Sequence, residues 1–133
     1  MTSNRRPVVL VADDDPTIRL VLMLNLDAAG LQVEMTGDGA EVVSLARRTR
    51  PDVVVLDVVL PGADGCSVVR ELRADPRTAE IPVVLLSART SDEEIWEGWR
   101  AGADCYVTKP FDMGELLAIV RRMRHPADVE AAG

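Results

Sequence analysis

The sequence predicts an α/β domain built as a doubly wound parallel sheet, on three observations. Five short aliphatic runs alternate with five stretches of helical periodicity along 133 residues, the pattern of parallel strands covered by helices on both faces. Several of those runs are apolar at every position, as strands buried on both faces are. Acidic, hydroxyl and basic residues gather where four of the five runs end. In open parallel sheets the carboxyl ends of the strands, near the point where strand order reverses, form the ligand-binding edge.

Composition agrees with a single folded domain. Hydrophobic residues make up 47% and charged residues 28% of the chain, values of a globular protein and not of a disordered one. Aromatic residues are 3%, so the core must be built from aliphatic side chains. The formal net charge of −7 argues against a free-standing nucleic-acid binder. Two basic clusters, Arg47, Arg48 and Arg50 and then Arg121, Arg122 and Arg124, each end a helical pattern, where cations complement the helix dipole. Cys66 and Cys105 lack metal-type spacing and read as reduced, small apolar residues. No run reaches transmembrane length, and the first apolar run is too short for a signal peptide; the expected location is cytoplasmic. Lys109 is the single lysine among 15 Lys and Arg residues.

Met1 to Pro7 is polar and is expected to be a disordered lead, with the domain spanning residues 8–124. Val8 to Ala12 is the first strand. Asp15 follows as a helix N-cap with Pro16 at the first helical position. The helix is assigned a buried stripe of Ile18, Val21, Leu22 and Leu24 and stops near Gly30. Leu20, Met23 and Leu26 exceed what one buried face needs, which reserves part of this helix for a partner. Leu31 to Thr36 alternates apolar and polar residues, the mark of an edge strand. Gly37-Asp38-Gly39 is a turn with Asp38 as cap, and the second helix carries Val42, Val43, Leu45 and Ala46 before Pro51.

Asp52 to Leu60 is the central apolar run. Asp57 lies inside it, and burying an unpaired carboxylate costs several kcal/mol, ~2–7 on transfer scales for polar groups and more for charges. Asp64 caps a third helix that runs to about Ala74, where Asp75-Pro76-Arg77 breaks it. Pro82 to Leu86 is the fourth strand, ending in Ser87. A helix from about Asp92 to Ala101 follows, closed by Gly102. Asp104 to Val107 is the fifth strand, ending at Thr108-Lys109-Pro110. The last helix runs from Met113 to about Arg124 with Leu116, Leu117, Val120 and Met123 inward, and residues 125–133 form a tail or linker stub.

With strand order 2-1-3-4-5, the ends of strands one, three, four and five are contiguous, and they carry Asp13 and Asp14, Asp57, Ser87 and Lys109. Clustered carboxylates repel one another unless a cation neutralises them. Oxygen ligands without His or Cys favour Mg²⁺, with Mn²⁺ as the alternative. A metal, an ammonium and a hydroxyl around a carboxylate make a site for phosphoryl transfer onto that carboxylate.

In this order the segments Val11-Ala12-Asp13-Asp14-Asp15, Val55-Leu56-Asp57, Leu60 to Gly65, Leu86-Ser87-Ala88 and Gly102 to Phe111 resemble the receiver domain of two-component response regulators, from Val8 to Arg124. That resemblance implies a flavodoxin-like (βα)5 fold. It implies a signal receiver, not an enzyme with an external substrate, which catalyses only its own phosphorylation and dephosphorylation. Asp57 would accept phosphate from the phosphohistidine of a histidine kinase or histidine phosphotransfer protein. Asp14, Asp57 and the Val59 carbonyl would ligate Mg²⁺ directly and Asp13 through water. Ser87 and Tyr106 would form the switch pair, Lys109 would hold the phosphoryl group, and the Lys109–Pro110 bond would be cis, against about 5–6% for X–Pro bonds at large. The resemblance also implies a downstream effector or output domain, not specified by these residues. It implies no direct nucleic-acid or membrane binding by this domain, and it allows a phosphorylation-dependent homodimer.

This sequence departs from the pattern at Val59, apolar where many relatives are polar; with Arg89 it borders the path of hydrolytic water. Ala63 stands where Met is common. Cys105 replaces a frequent Asp, which weakens one charge pair used by relatives that dimerise through the fourth helix, fifth strand and fifth helix. Trp96 and Trp99 occupy positions usual for Ile and Leu and are expected to pack against the sheet, leaving Ile95 outward. Ile18 and Val21 are candidates for docking a kinase, and His125 reads as a solvated helix-end residue. The alternative is a haloacid-dehalogenase-like phosphatase, in which Asp13 is the nucleophile and Asp15 the acid; it leaves Asp57 unexplained.

Overall fold

The computed structural model describes residues 6–88 and 91–123. The expectations for Met1 to Arg5, Arg89, Arg124, His125 and the tail to Gly133 lie outside them. Along the chain run β1 (Val8–Ala12), α1 (Pro16–Ala28), β2 (Gln32–Thr36), a single 3-10 turn (Gly39–Glu41), α2 (Val42–Thr49) and β3 (Val53–Asp57). They are followed by α3 (Gly65–Ala74), β4 (Val83–Ser87), α4 (Asp92–Ala101), β5 (Cys105–Thr108) and α5 (Met113–Met123). The five strands are parallel and lie in the order β2-β1-β3-β4-β5, the flavodoxin-like arrangement expected.

Every residue of β1, β3 and β4 is buried, because helices cover both faces. Alternation along the strands sorts the core into two layers. Val9, Val11, Val53, Val55, Val84 and Leu86 face Leu22 and Leu26 of α1 and Leu116 and Val120 of α5. Leu10, Val54, Leu56, Val83 and Leu85 face Val42, Val43 and Ala46 of α2, Val68, Val69 and Leu72 of α3, and Ala101 of α4. β2 has one neighbour and is an edge strand; only Thr36 in it is buried, and Met35 is exposed like Gln32, so the alternation of its sequence is not repeated in its exposure. The opposite edge of the sheet is tied by carboxylates at strand starts. Asp52 Oδ2 accepts from the Val8 amide at 2.7 Å, and Asp104 Oδ2 accepts from the Val83 amide at 2.8 Å.

Two helices present other faces than the sequence suggested. In α1 the buried residues are Leu22 and Leu26, with Ile18 half-buried, while Leu24 is 58% exposed and Val21 lies on the surface. The helix is apolar on nearly every side, so periodicity alone could not set its rotation. In α4 the inward residues are Gly98 and Ala101, with Ile95 half-buried; Trp96 is 63% and Trp99 45% exposed. The cause is close approach. A Cβ on Gly98 would lie 3.0 Å from both Leu85 Cδ1 and Tyr106 Cδ2, so the helix meets the sheet on its small residues and no indole fits between them.

Candidate functional site

Each acid reaches the site because a buried strand ends beneath it. Asp13 follows β1, and its amide continues the sheet by donating to the Thr36 carbonyl at 3.2 Å. Its side chain is fully buried, with Oδ1 accepting from the Asp15 amide at 3.0 Å. Asp57 is the last residue of β3 and is buried as the sequence required. Its Oδ1 accepts from the Val59 amide at 2.9 Å, which turns the chain out of the strand. Asp14 stands exposed beside them.

The partner that the buried carboxylate demanded is Lys109. Its Nζ donates to Asp57 Oδ2 at 2.6 Å and to Asp13 Oδ2 at 2.9 Å. The backbone places it there: Ser87 pairs with Thr108 across β4 and β5, and the Lys109 amide donates to the Ser87 carbonyl at 2.8 Å. The Lys109–Pro110 bond is cis, as the resemblance implied. Ser87 is buried at the end of β4, one residue beyond the level of Asp57, which pairs with Leu86. Tyr106 is half-buried on β5, its ring against Gly98 of α4. The side chain of Val59 is exposed at the rim.

Electrostatically the site is short of positive charge. Burial pushes the pKa of Asp57 up, and the bonds from Lys109 and the Val59 amide offset this in part. Burial works against the charge on Lys109 too, but its bonds to Asp57 and Asp13 outweigh that and raise its pKa. Three carboxylates surround one ammonium. Oxygens of Asp13, Asp14 and Asp57 all lie within 4.8 Å of one another, which fits a small, hard, oxygen-preferring divalent cation. Thus the structure brings together the ends of β1, β3 and β5 in one charged cluster, with Ser87 beside it.

Sequence reasoning missed some supporting residues. Arg19 donates from Nη1 to the Asp13 carbonyl at 2.7 Å, though it read only as a polar residue of the first helix. Gly37-Asp38-Gly39 signalled a turn but not what that turn packs on.

The chain matches the family described as the response regulator receiver domain over residues 9–121. It is 43% identical over 122 residues to the DNA-binding dual master transcriptional regulator RpaA of a Synechocystis strain, covering 92% of this chain and 51% of that protein. The chain spans about half the length of the curated relatives it matches. Among solved structures it resembles the chemotaxis protein CheY4 of Vibrio cholerae, with TM-score 0.84, 33% identity, and coverage of 90% of this chain and 99% of that one. It is also similar to the receiver domain of the Pseudomonas aeruginosa sensor histidine kinase PA1611, which holds a magnesium ion in its active-site cleft. There the TM-score is 0.83 and identity 31%, over 90% of this chain and 98% of that one. The match displaces the phosphatase alternative. Among the described residues no helix is long and apolar enough to cross a membrane.

Proposed function

The chain belongs to the response regulator receiver domain family, and from that membership we propose that it is a phosphorylation-activated switch of a two-component phosphorelay with Asp57 as acceptor. The observation that carries this reading is the ammonium of Lys109 bonded to both Asp57 and Asp13. It supports Asp57 as the nucleophile, since a buried carboxylate bonded to an ammonium keeps a cation beside it for an incoming phosphoryl group.

A carboxylate oxygen of Asp57 attacks the phosphorus of a phosphohistidine presented by a histidine kinase or phosphotransfer protein. A P–O bond forms, the P–N bond breaks, and the electron pair leaves with the imidazole. Asp14, Asp57 and the Val59 carbonyl, with Asp13 through water, would hold Mg²⁺, which would supply charge neutralisation of the phosphoryl oxygens. Phosphorylation turns the Asp57 carboxylate into an acyl phosphate and removes the carboxylate's own charge, so the strongest partner left to Lys109 is the phosphoryl group itself. The Ser87 hydroxyl donates to a second phosphoryl oxygen and Tyr106 follows it inward, which carries the change to the surface of α4 and β5. Relatives named as DNA-binding regulators favour transcription as the downstream event, through an output domain attached to this domain or separate from it. The reading places the domain in the cytoplasm and allows homodimers once phosphorylated.

Incubation with Mg²⁺ and a small acyl-phosphate donor, followed by intact mass and borohydride trapping, tests this directly. Label on Asp57 is expected, and none on Asp57→Ala. Label on Asp13, or undiminished uptake by Asp57→Ala, overturns the reading.

A further inference from the structure

The edge strand β2 brings no acid to the site, yet the turn that follows it touches both loops that do. On one side, a Cβ on Gly37 would lie 2.7 Å from Arg19 Nη1, the nitrogen that donates to the Asp13 carbonyl at 2.7 Å. On the other side the turn interlocks with the loop joining β3 to α3, which carries Val59. The Gly39 amide donates to the Pro61 carbonyl at 2.8 Å. A Cβ on Gly39 would lie 2.2 Å from the Ala63 carbonyl oxygen, and one on Gly62 would lie 2.0 Å from Asp38 Oδ1. At Gly39 backbone meets backbone and at Gly62 it meets the Asp38 carboxylate, with no room for a Cβ on either glycine.

The turn is itself held rigid. Asp38 Oδ1 accepts from the Ala40 amide at 2.9 Å, and the Asp38 amide donates to Thr36 Oγ1 at 3.1 Å. The Thr36 hydroxyl donates to Glu41 Oε1 at 2.7 Å. The far end of the β3–α3 loop is equally fixed, for the Gly65 amide donates to the Val58 carbonyl at 2.8 Å. Val59 therefore sits on a short loop pinned at Val58 by β4 and α3, at its own amide by Asp57, and at Pro61 and Ala63 by the β2–α2 turn.

We infer that the turn Gly37-Asp38-Gly39 is a positioning element for the metal site, with Gly39 setting where the Val59 carbonyl lies relative to Asp57. The inference rests on the proposed magnesium site and adds to it residues that touch neither metal nor phosphate. Outer contacts that orient ligands commonly weigh on metal affinity by 10–100-fold.

The test is Mg²⁺ affinity of the full chain by isothermal titration calorimetry, without any phosphoryl donor, well below the melting temperature of every variant. Gly39 does not have a left-handed backbone, so Gly39→Ala perturbs through the collision with Ala63 alone. Its Mg²⁺ affinity is expected to fall about tenfold or more. Gly30→Ala is the control: Gly30 has φ of +90° with nothing within 4 Å of its added Cβ, so it strains the backbone away from the site and should bind Mg²⁺ as the parent does. Thr36→Val removes, without changing charge, the hydroxyl that accepts from the Asp38 amide and donates to Glu41, and is expected to weaken Mg²⁺ binding about threefold or more. This second variant decides the matter should Gly39→Ala not fold. Parental affinity in Gly39→Ala and Thr36→Val, or equal weakening in Gly30→Ala, overturns the inference and leaves the phosphoacceptor reading standing. A parent that binds no Mg²⁺ overturns both.

Discussion

Two buried aspartates at opposite edges of the sheet show what separates a clustered acid from a latched one. At the carboxyl edge, Asp57 shares a single ammonium with Asp13, and burial raises its pKa. At the other edge, Asp75 follows α3 and has two guanidinium groups to itself. Its Oδ2 accepts from Arg47 Nε at 2.6 Å and Arg77 Nη2 at 3.1 Å, and its Oδ1 from the Arg77 amide at 2.9 Å. Those bonds, from the Arg77 side chain and amide first and then Arg47, hold the Asp75 carboxyl well below the usual carboxylate range. A groove of about 690 Å³ lies over this latch, lined by Arg47, Glu71, Asp75 and Arg77 among others, but its central carboxylate is already satisfied. The acid cluster instead gathers three carboxylates with one ammonium bonded to two of them. Surplus negative charge, not cavity size, marks the place that fits a divalent cation.

Removing the one cation of the first region should have the largest effect. Lys109→Met is expected to slow labelling of Asp57 by a small acyl phosphate about 10²–10³-fold, the usual loss when a preorganised electrostatic partner is deleted. Asp75→Asn should label at the parental rate. Labelling of Lys109→Met at the parental rate, read by intact mass over time, would erase the distinction between the two regions.

A smaller effect, of opposite sign in the two places, is expected from one substitution made twice. Asp75 has a lowered folded pKa, so its stabilisation is complete above its unfolded value of about 3.9 and is lost as pH falls through the folded one. Asp75→Asn should therefore melt lower than the parent at pH 7, and the gap should close as pH drops below about 4. Asp57 has a raised folded pKa, so its ionised form at neutral pH detracts from stability and the detraction fades as pH falls. Asp57→Asn in EDTA should melt at or above the parental temperature at pH 7. Thermal melts across that range check both signs, and a lowered melting temperature for Asp57→Asn would show that Lys109 fully compensates its charge.

Much of this was legible in the sequence because it depends on strand ends. A five-residue apolar strand fixes where Asp57 or Ser87 must emerge, and parallel order fixes that they emerge together. The capping roles of Asp15, Asp38 and Asp64 were equally local, each accepting from an amide two residues on. The rest depended on contacts between segments distant in sequence. Arg47 and Asp75 meet across 28 positions, and neither the arginine cluster nor the helix-breaking Asp75-Pro76 announces the other. The interlock of Gly39 with Ala63 is backbone against backbone and leaves no side-chain pattern beyond glycine itself. The rotation of α1 was hidden by too many apolar residues, and that of α4 by carrying over to Trp96 and Trp99 the inward place that Ile and Leu take in relatives.

That last misreading carries the smallest effect and an ordering that can be measured. α4 divides like the two aspartates, into a face whose contacts are complete and one whose contacts are open. Gly98 has Leu85 and Tyr106 where a Cβ would go, so Gly98→Ala must push on the core and is expected to cost about 1–3 kcal/mol, the range for overpacking. Trp96 and Trp99 are both exposed surface residues, so Trp96→Phe and Trp99→Phe should each change stability by less than about 0.5 kcal/mol, the range for surface substitutions. Urea unfolding of the three variants at equal protein concentration gives the comparison. A tryptophan variant that costs as much as Gly98→Ala would mean that the exposed face of α4 is covered in solution, and dilution over a wide concentration range would then reveal by what.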